Sequence, residues 1–262
     1  MRILAINASY RGDRGYTRVL LDKLVSGATA AGAECEIVTL AHFKLNHCLA
    51  CDKCQTEEHY LSCVQKEKDD VQQIFQKMSD ADLFVFATPV YVFGISVLLK
   101  TLLDRTHGMS DCSKLILTKS GLLFHHTNRS VSGKPFAAVI CYDNVENATP
   151  ANSISYFKTY ARFQDVRLAG ILVRNAGSLA GHGKMPSREQ FFPKLTEVYK
   201  AYEQAGYELA KQKYVSRSTQ RKANQEIVPV KLFSILKQIG PLKKKFLERA
   251  NSMNAAFPSG VI

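Results

Sequence analysis

Apolar residues recur along this chain in two periods, and the switches between them outline an alternating α/β unit. Residues 2–7, Arg-Ile-Leu-Ala-Ile-Asn, form a short strand-like run. From Thr17 the spacing becomes helical, with Leu20, Leu21, Leu24, Val25 and Ala28 on one face, and Gly32 supplies a left-handed stop. Cys35 to Leu40 reads as a second strand, and Asp69 to Ala81 as a helix presenting Val71, Ile74, Phe75 and Met78. Leu83 to Ala87 is almost wholly apolar, as a strand covered on both faces should be. Ser96 caps a helix that carries Leu98, Leu99, Leu102 and Leu103 to about Gly108. Phe136 to Tyr142 and Val166 to Val173 supply two more strands, with a helix around Ser153 to Phe163 between them. A last core helix runs from about Phe192 to Val215.

Strands alternating with helices in this way predict an α/β fold: a doubly wound, five-stranded parallel sheet with right-handed crossovers. The expected division is a core domain over residues 1–215 and a basic helical tail over 216–262. The apolar stretch from Leu83 to Leu99 is interrupted by Pro89 and Gly94 and followed by Lys100, Asp104 and Arg105. Two buried elements around a tight loop explain it better than a bilayer crossing. The apolar run at the start is too short for a secretory signal, so a soluble, cytoplasmic protein is expected.

Composition changes this picture little, because 46% apolar and 22% charged residues are ordinary for a globular domain. The net charge of +12 is more informative once it is located. Residues 211–262 hold eleven Lys or Arg against two Glu, leaving only +3 on the rest. Basicity therefore belongs to the tail, and without a recognised binding module nucleic acid is not the expected partner. Val230 to Ile239, with Phe233, Leu236 and Ile239 on one side, has the spacing of a basic amphipathic helix. Gly240-Pro241 breaks it, and a second helix follows over Leu242 to Met253. Such a tail either packs on a neighbouring subunit or on its own core, or touches an anionic membrane surface.

Candidate chemistry begins in the loop Asn7-Ala8-Ser9-Tyr10-Arg11-Gly12-Asp13-Arg14-Gly15-Tyr16-Thr17. A loop entering a helix N-terminus points free N–H groups at an anion. Ser9 and Thr17 add hydroxyls, Arg11 or Arg14 a charged fork, and Gly12 and Gly15 let the backbone curl. The loop lacks the Gly-Lys-Ser/Thr of a Walker site and the G-x-G-x-x-G of a dinucleotide site. Asn7 and Ser9 also stand where a phospho-acceptor domain would carry acidic residues. What fits is a monophosphate. After the third strand, Pro89-Val90-Tyr91-Val92-Phe93-Gly94 lies at the sheet's switch point, where backbone amides and aromatic rings can face a flat heterocycle.

Ser9-x-Arg11 with Gly15 and Thr17, then Pro89-Val90-Tyr91 leading to Ser96 and Leu99-Lys100-x-Leu102-x-Asp104-Arg105, resembles the NAD(P)H-dependent FMN reductases. The likeness is greatest to the iron–sulfur flavoproteins of the flavodoxin superfamily, and it covers residues 1 to about 175. It implies a flavodoxin-like sheet of order 2-1-3-4-5 and an FMN oxidoreductase. The FMN would be held by Ser9, Arg11, Gly15, Tyr16 and Thr17 at its phosphate and by Pro89, Val90, Tyr91, Phe93 and Gly94 at its ring. The resemblance further implies NAD(P)H as a possible donor, small-molecule or protein electron partners, and a homodimer or homotetramer. The chain departs from the family in three places. Its first loop is one residue longer than S-x-R-x-x-G-N-T/S, Tyr16 stands in place of Asn, and Cys141-Tyr142-Asp143-Asn144-Val145-Glu146-Asn147 replaces a Gly-rich loop.

Cys48-x2-Cys51-x2-Cys54 followed by Cys63 lies in a long loop after the second strand. Such a run lets three thiolates converge on one centre with a fourth from farther on, the pattern of a [4Fe–4S] cluster. Structural zinc, with His47 or His59 as substitute ligands, and unmetallated thiols are the alternatives. Cys35, Cys112 and Cys141 read as buried thiols, and His125 and His126 as exposed loop residues. No side-chain acid, base or nucleophile is required, since the cofactors carry the chemistry. Three functions stay open at this point. One is an FMN and [4Fe–4S] electron-transfer oxidoreductase, another a cluster-free flavin or quinone reductase, and the third a non-catalytic protein acting through its basic tail.

Overall fold

The computed structural model describes residues 1–144, 146–181, 187–227, 239–245, 248 and 251. Strand β1 (Arg2–Asn7) leads through the first loop into α1 (Tyr16–Ala30), and β2 (Glu34–Thr39) into a long loop that holds the cysteines. Helix α2 (Val71–Asp80), strand β3 (Leu83–Tyr91), the two-residue β4 (Gly94–Ile95) and α3 (Val97–Arg105) follow. A hairpin of β5 (Asp111–Leu117) and β6 (Leu123–His126) precedes α4 (Arg129–Ser132) and β7 (Phe136–Cys141). Then come α5 (Ala151–Phe163), β8 (Leu168–Arg174), α6 (Lys194–Gln212) and α7 (Arg217–Ala223).

The main sheet runs β2-β1-β3-β7-β8, and every pair in that path is parallel. A parallel sheet must be covered on both faces, which is why the central strands are apolar throughout: β7 is buried at every residue and β3 at its first seven. One face packs Leu20, Leu21 and Leu24 of α1 against Leu195, Val198 and Tyr202 of α6. The two helices meet closely because each offers a glycine. A Cβ on Gly27 would run into the Glu203 carbonyl, and one on Gly206 into that of Leu24. The other face sets Ile74, Leu99, Leu102 and Phe157 over Phe84, Phe86 and Phe136.

The segment after α6 completes the sheet edge. Val215 N–H donates to Ala169 O at 2.7 Å, and the amide side chains of α7 take the ladder positions beyond it. Gln220 Oε1 accepts from Ile171 N–H (3.0 Å) and Asn224 Oδ1 from Val173 N–H (2.7 Å), so β8 leaves those groups no open edge. Arg174, buried at the end of β8, donates to the carbonyls of Ala223 (3.2 Å) and Gln225 (2.7 Å) and fixes α7 in place.

Two differences from the sequence pattern bear on the site. Strand β3 runs past the predicted Ala87 to Tyr91, because Gly94–Ile95 folds back on it as an antiparallel pair. The β5–β6 hairpin occupies a stretch where the pattern showed no element. Its apolar residues Leu115, Leu117 and Leu123 are more than 60% exposed, so the alternation that marks a half-buried strand is missing. The apolar stretch 83–99 resolves into β3, β4 and the start of α3, and no described helix is long and apolar enough to cross a membrane. The amphipathic stretch of the tail lies outside the described residues up to Ile239. Gly240-Pro241 then opens a helical turn through Lys245, where the missing proline N–H costs nothing.

Candidate functional site

The first candidate centre lies where β1 and β3 run side by side and their chains leave in opposite directions, β1 toward β2 and β3 toward β7. That is the switch point at which open α/β sheets receive ligands. Ala8 N–H donates to Ala87 O at 2.8 Å and ties the two loops together at their roots. In the first loop, Asn7 Nδ2 donates to Gly12 O at 3.1 Å, and Ser9 Oγ accepts from Arg11 N–H at 3.2 Å. Gly12 adopts φ +58°, which turns the chain back toward the helix. Asp13 accepts from the Thr39 hydroxyl at 2.7 Å and pairs with Arg18. Burial alone would raise its carboxyl, but these partners and His42 hold it below its ordinary value.

The helix that follows starts at Gly15 without a capping side chain, and Arg18 N–H donates to Gly15 O at 2.9 Å. Gly15 itself is buried, and a Cβ there would stand 2.7 Å from Ser9 Oγ and 3.3 Å from Arg11 Cβ. Thr17 is 1% exposed, and its hydroxyl has no oxygen or nitrogen partner within the protein, only the Cys141 thiol beside it. A buried hydroxyl without an oxygen or nitrogen partner, at a helix N-terminus and beside a cradle too tight for a Cβ, suits a phosphate group. Arg11 is exposed and lies over the Tyr16 ring at 5.5 Å. Tyr16 turns into the core, where a Cβ on Gly177 would stand 2.6 Å from its ring and 2.7 Å from Cys141 Sγ. Burial pushes the Tyr16 phenol up strongly, and the Cys141 thiol up to about 12.

The third-strand loop is a hairpin closed by two residues, Val92 (φ +46°) and Phe93 (φ +64°), between the paired Tyr91 and Gly94. Positive φ at both central positions is the turn that Asn-Gly usually fills, and a β-branched valine there is strained. Val92 is 93% exposed and Phe93 60%, so packing in this chain does not account for them. Pro89 is buried, Val90 half-buried, and Tyr91 faces Tyr10 of the first loop with ring centroids 6.2 Å apart. Tyr10 escaped the sequence reading. Only the contact with Tyr91 distinguishes it from any exposed aromatic.

The second candidate centre is a cavity lined by Cys48, Cys51, Cys54 and Cys63 together with Arg105 and His107. Its loop is curled by left-handed residues at Ala50, Asp52 and Leu61, each costing on the order of 1 kcal/mol for a non-glycine. The loop is clamped from below. Asp69, just before α2, accepts from Asn46 N–H at 2.9 Å and forms a fully buried pair with Arg105 at the end of α3. The same guanidinium donates to Asn46 O at 2.9 Å. Its Nε and Nη2 are buried with no partner. Four thiols and a guanidinium with two unanswered donors on one cavity suit an anionic metal–thiolate group. The cavity includes neither His47 nor His59; the histidine it does include is His107.

Two expectations need correction. Cys112 is an exposed thiol on β5, not a buried one, because the hairpin lies outside both core layers. His125 and His126 are on strand β6 rather than in a loop, and His125 is half-buried against the Phe124 ring at 4.0 Å. Cys141 is buried and Cys35 partly so.

With this geometry in hand the chain can be set beside known proteins. The family profile of the NADPH-dependent FMN reductases matches residues 1–148. The chain belongs to the NADPH-dependent FMN reductase family. Among its curated relatives, an iron–sulfur flavoprotein of Methanocaldococcus jannaschii is 35% identical over 106 residues, 40% of this chain and 52% of that one. An iron–sulfur flavoprotein of Archaeoglobus fulgidus is 33% identical over 106 residues, 40% of this chain and 49% of the relative. The chain thus spans about half the length of these relatives. An FMN-dependent NADH-azoreductase from Bacillus anthracis, solved with FMN, superposes with a TM-score of 0.57 over 80% of this chain and 99% of its own. At 17% identity it shows a common fold.

Proposed function

We propose that this FMN reductase family member is an electron-transfer oxidoreductase carrying FMN at the β1/β3 switch point and a [4Fe–4S] cluster on Cys48, Cys51, Cys54 and Cys63. The observation that carries it is the pair of unanswered buried donors, Thr17 Oγ1 in one centre and Arg105 Nε/Nη2 in the other. An anion from outside the polypeptide would satisfy the donors in each. The names of the curated relatives point the same way.

In this reading Ser9, Thr17 and the N-terminal end of α1 hold the FMN phosphate, with Arg11 above it and Gly15 keeping the cradle open. Tyr16 acts indirectly, as the core residue that seats the loop. Pro89, Val90 and Gly94 shape the hairpin that faces the ring, while Tyr91 and Phe93 offer aromatic surface and exclude water. FMN supplies two-electron chemistry and a cluster single-electron chemistry; the chain positions and insulates them. Helix α3 spans the two centres. Ser96 caps it at the flavin hairpin through Leu99 N–H (3.3 Å), and it ends at Arg105 on the cysteine cavity. Nine residues of helix rise about 14 Å, so one rigid element sets the separation.

NAD(P)H is the proposed donor, and the acceptor is a small molecule or a redox protein. The exposed Tyr91, Val92 and Phe93 fit a homodimer or homotetramer in which a second copy covers the flavin hairpin. The deciding experiment compares wild type with Cys48→Ser/Cys51→Ser after anaerobic purification. Loss of iron and of electron transfer, with FMN retained, supports the two-centre reading. Full turnover in the variant leaves a cluster-free FMN or quinone reductase.

A further inference from the structure

Beside the cysteine cavity, and sharing His107 with its lining, a second group of metal-seeking side chains converges. His107, in the turn after α3, Cys112, on β5, and His125, on β6, have ligand atoms that all lie within 4.8 Å of one another. The three come from separate elements, so no sequence motif announces them. A register irregularity between Asp111 and Leu115 lets β5 bring Cys112 toward His125. The approach is fixed by specific contacts. Gln55, in the cysteine loop, accepts from Cys112 N–H at 3.0 Å and donates to Ser110 O at 2.8 Å. The two imidazoles meet edge-on, centroids 6.3 Å apart, and Phe124 backs His125. Asp52 Oδ1 lies 3.4 Å from His107 Nε2.

We propose that His107, Cys112 and His125 form a second metal site, distinct from the four-cysteine centre, that takes a divalent cation of the Zn²⁺ class. Two imidazoles and one thiolate are the donor set that selects zinc-like ions over Mg²⁺ or Ca²⁺, and three protein ligands leave a fourth position for water. Asp52, bonded to Nε2 of His107, orients that ring and leaves Nδ1 for the metal, the usual outer-shell arrangement. The bound ion pins the β5–β6 hairpin to the end of α3 and, through Asp52, to the cysteine loop.

The test uses the full chain with FMN. Cobalt(II) is added to Cys48→Ser/Cys51→Ser/Cys54→Ser protein, which lacks the other centre, and thiolate-to-cobalt charge transfer with intense tetrahedral d–d bands is recorded. One equivalent bound, with the bands abolished by Cys112→Ser and the affinity lowered at least about tenfold by His125→Gln, is expected. Bands that survive Cys112→Ser, or that are missing from the triple-serine protein while it retains FMN, overturn the site. Should the triple variant not fold, iron and zinc are measured in chelator-washed wild type and Cys112→Ser. Zinc lost from the variant at unchanged iron supports the proposal. Zinc retained, or iron lost with it, overturns it.

Discussion

The two centres of this molecule are built in contrasting ways. The flavin-side loops hang from the ends of adjacent, largely buried strands, and their site residues lie within ten positions of the end of β1 or three of the end of β3. The cysteine side is assembled from a loop and the end of α3, and is held by a buried pair between Asp69, just before α2, and Arg105. A centre seated on sheet ends inherits its geometry from the core. One assembled from loops depends on a few polar clamps. The first should therefore tolerate loss of a clamp, while the second should fail with it.

The sharpest break is Arg105→Met, which strands the buried Asp69 carboxylate and should cost about 3–5 kcal/mol. Denaturant unfolding measures this. Arg105→Met combined with Asp69→Leu should recover much of the loss, yet bind iron poorly, because the donors facing the cavity are gone. On the flavin side the largest effect comes from Gly15→Val. Its Cβ meets Ser9 Oγ, and a distortion on the order of 2 kcal/mol corresponds to roughly thirtyfold weaker FMN by titration. Iron content should not change.

A finer test is Thr17→Val. The hydroxyl has no oxygen or nitrogen partner in the protein, so its loss should leave the apoprotein nearly as stable as before. FMN affinity should fall about fivefold, near 1 kcal/mol. Lower stability without weaker FMN binding would assign Thr17 to the core alone.

The smallest effect concerns the α7 clamp. Burial raises Glu208, but Thr219, the Ser216 N–H, Gln204 and the Ser216 hydroxyl outweigh it, and the folded carboxyl sits below its ordinary value. Its contribution to stability is present above the unfolded carboxylate range and is lost as pH falls through the lower folded value. Glu208→Gln should flatten the acid limb of the stability curve without touching either centre.

How much the sequence discloses follows the same divide. Leu20, Leu21 and Leu24, the apolar β3 and the Ser96 cap announce their elements through period and capping alone, and both flavin loops follow from them. The four cysteines are legible as a group through spacing, and the structure places them on one cavity. Arg105 enters the sequence reading as part of the family motif, and its place as a buried clamp on the cysteine loop comes from contacts across elements. The β5–β6 hairpin is hidden because its apolar side chains face outward. Tyr10, His107, Cys112 and His125 acquire meaning only from contacts across elements, which no local pattern encodes.

The most direct test of the two-centre account is a visible spectrum with flavin and iron assays on anaerobically purified protein. The account predicts one FMN per chain and about four irons, with iron abolished and flavin kept in Cys48→Ser/Cys51→Ser. Protein that holds no flavin even after FMN is added would contradict it outright.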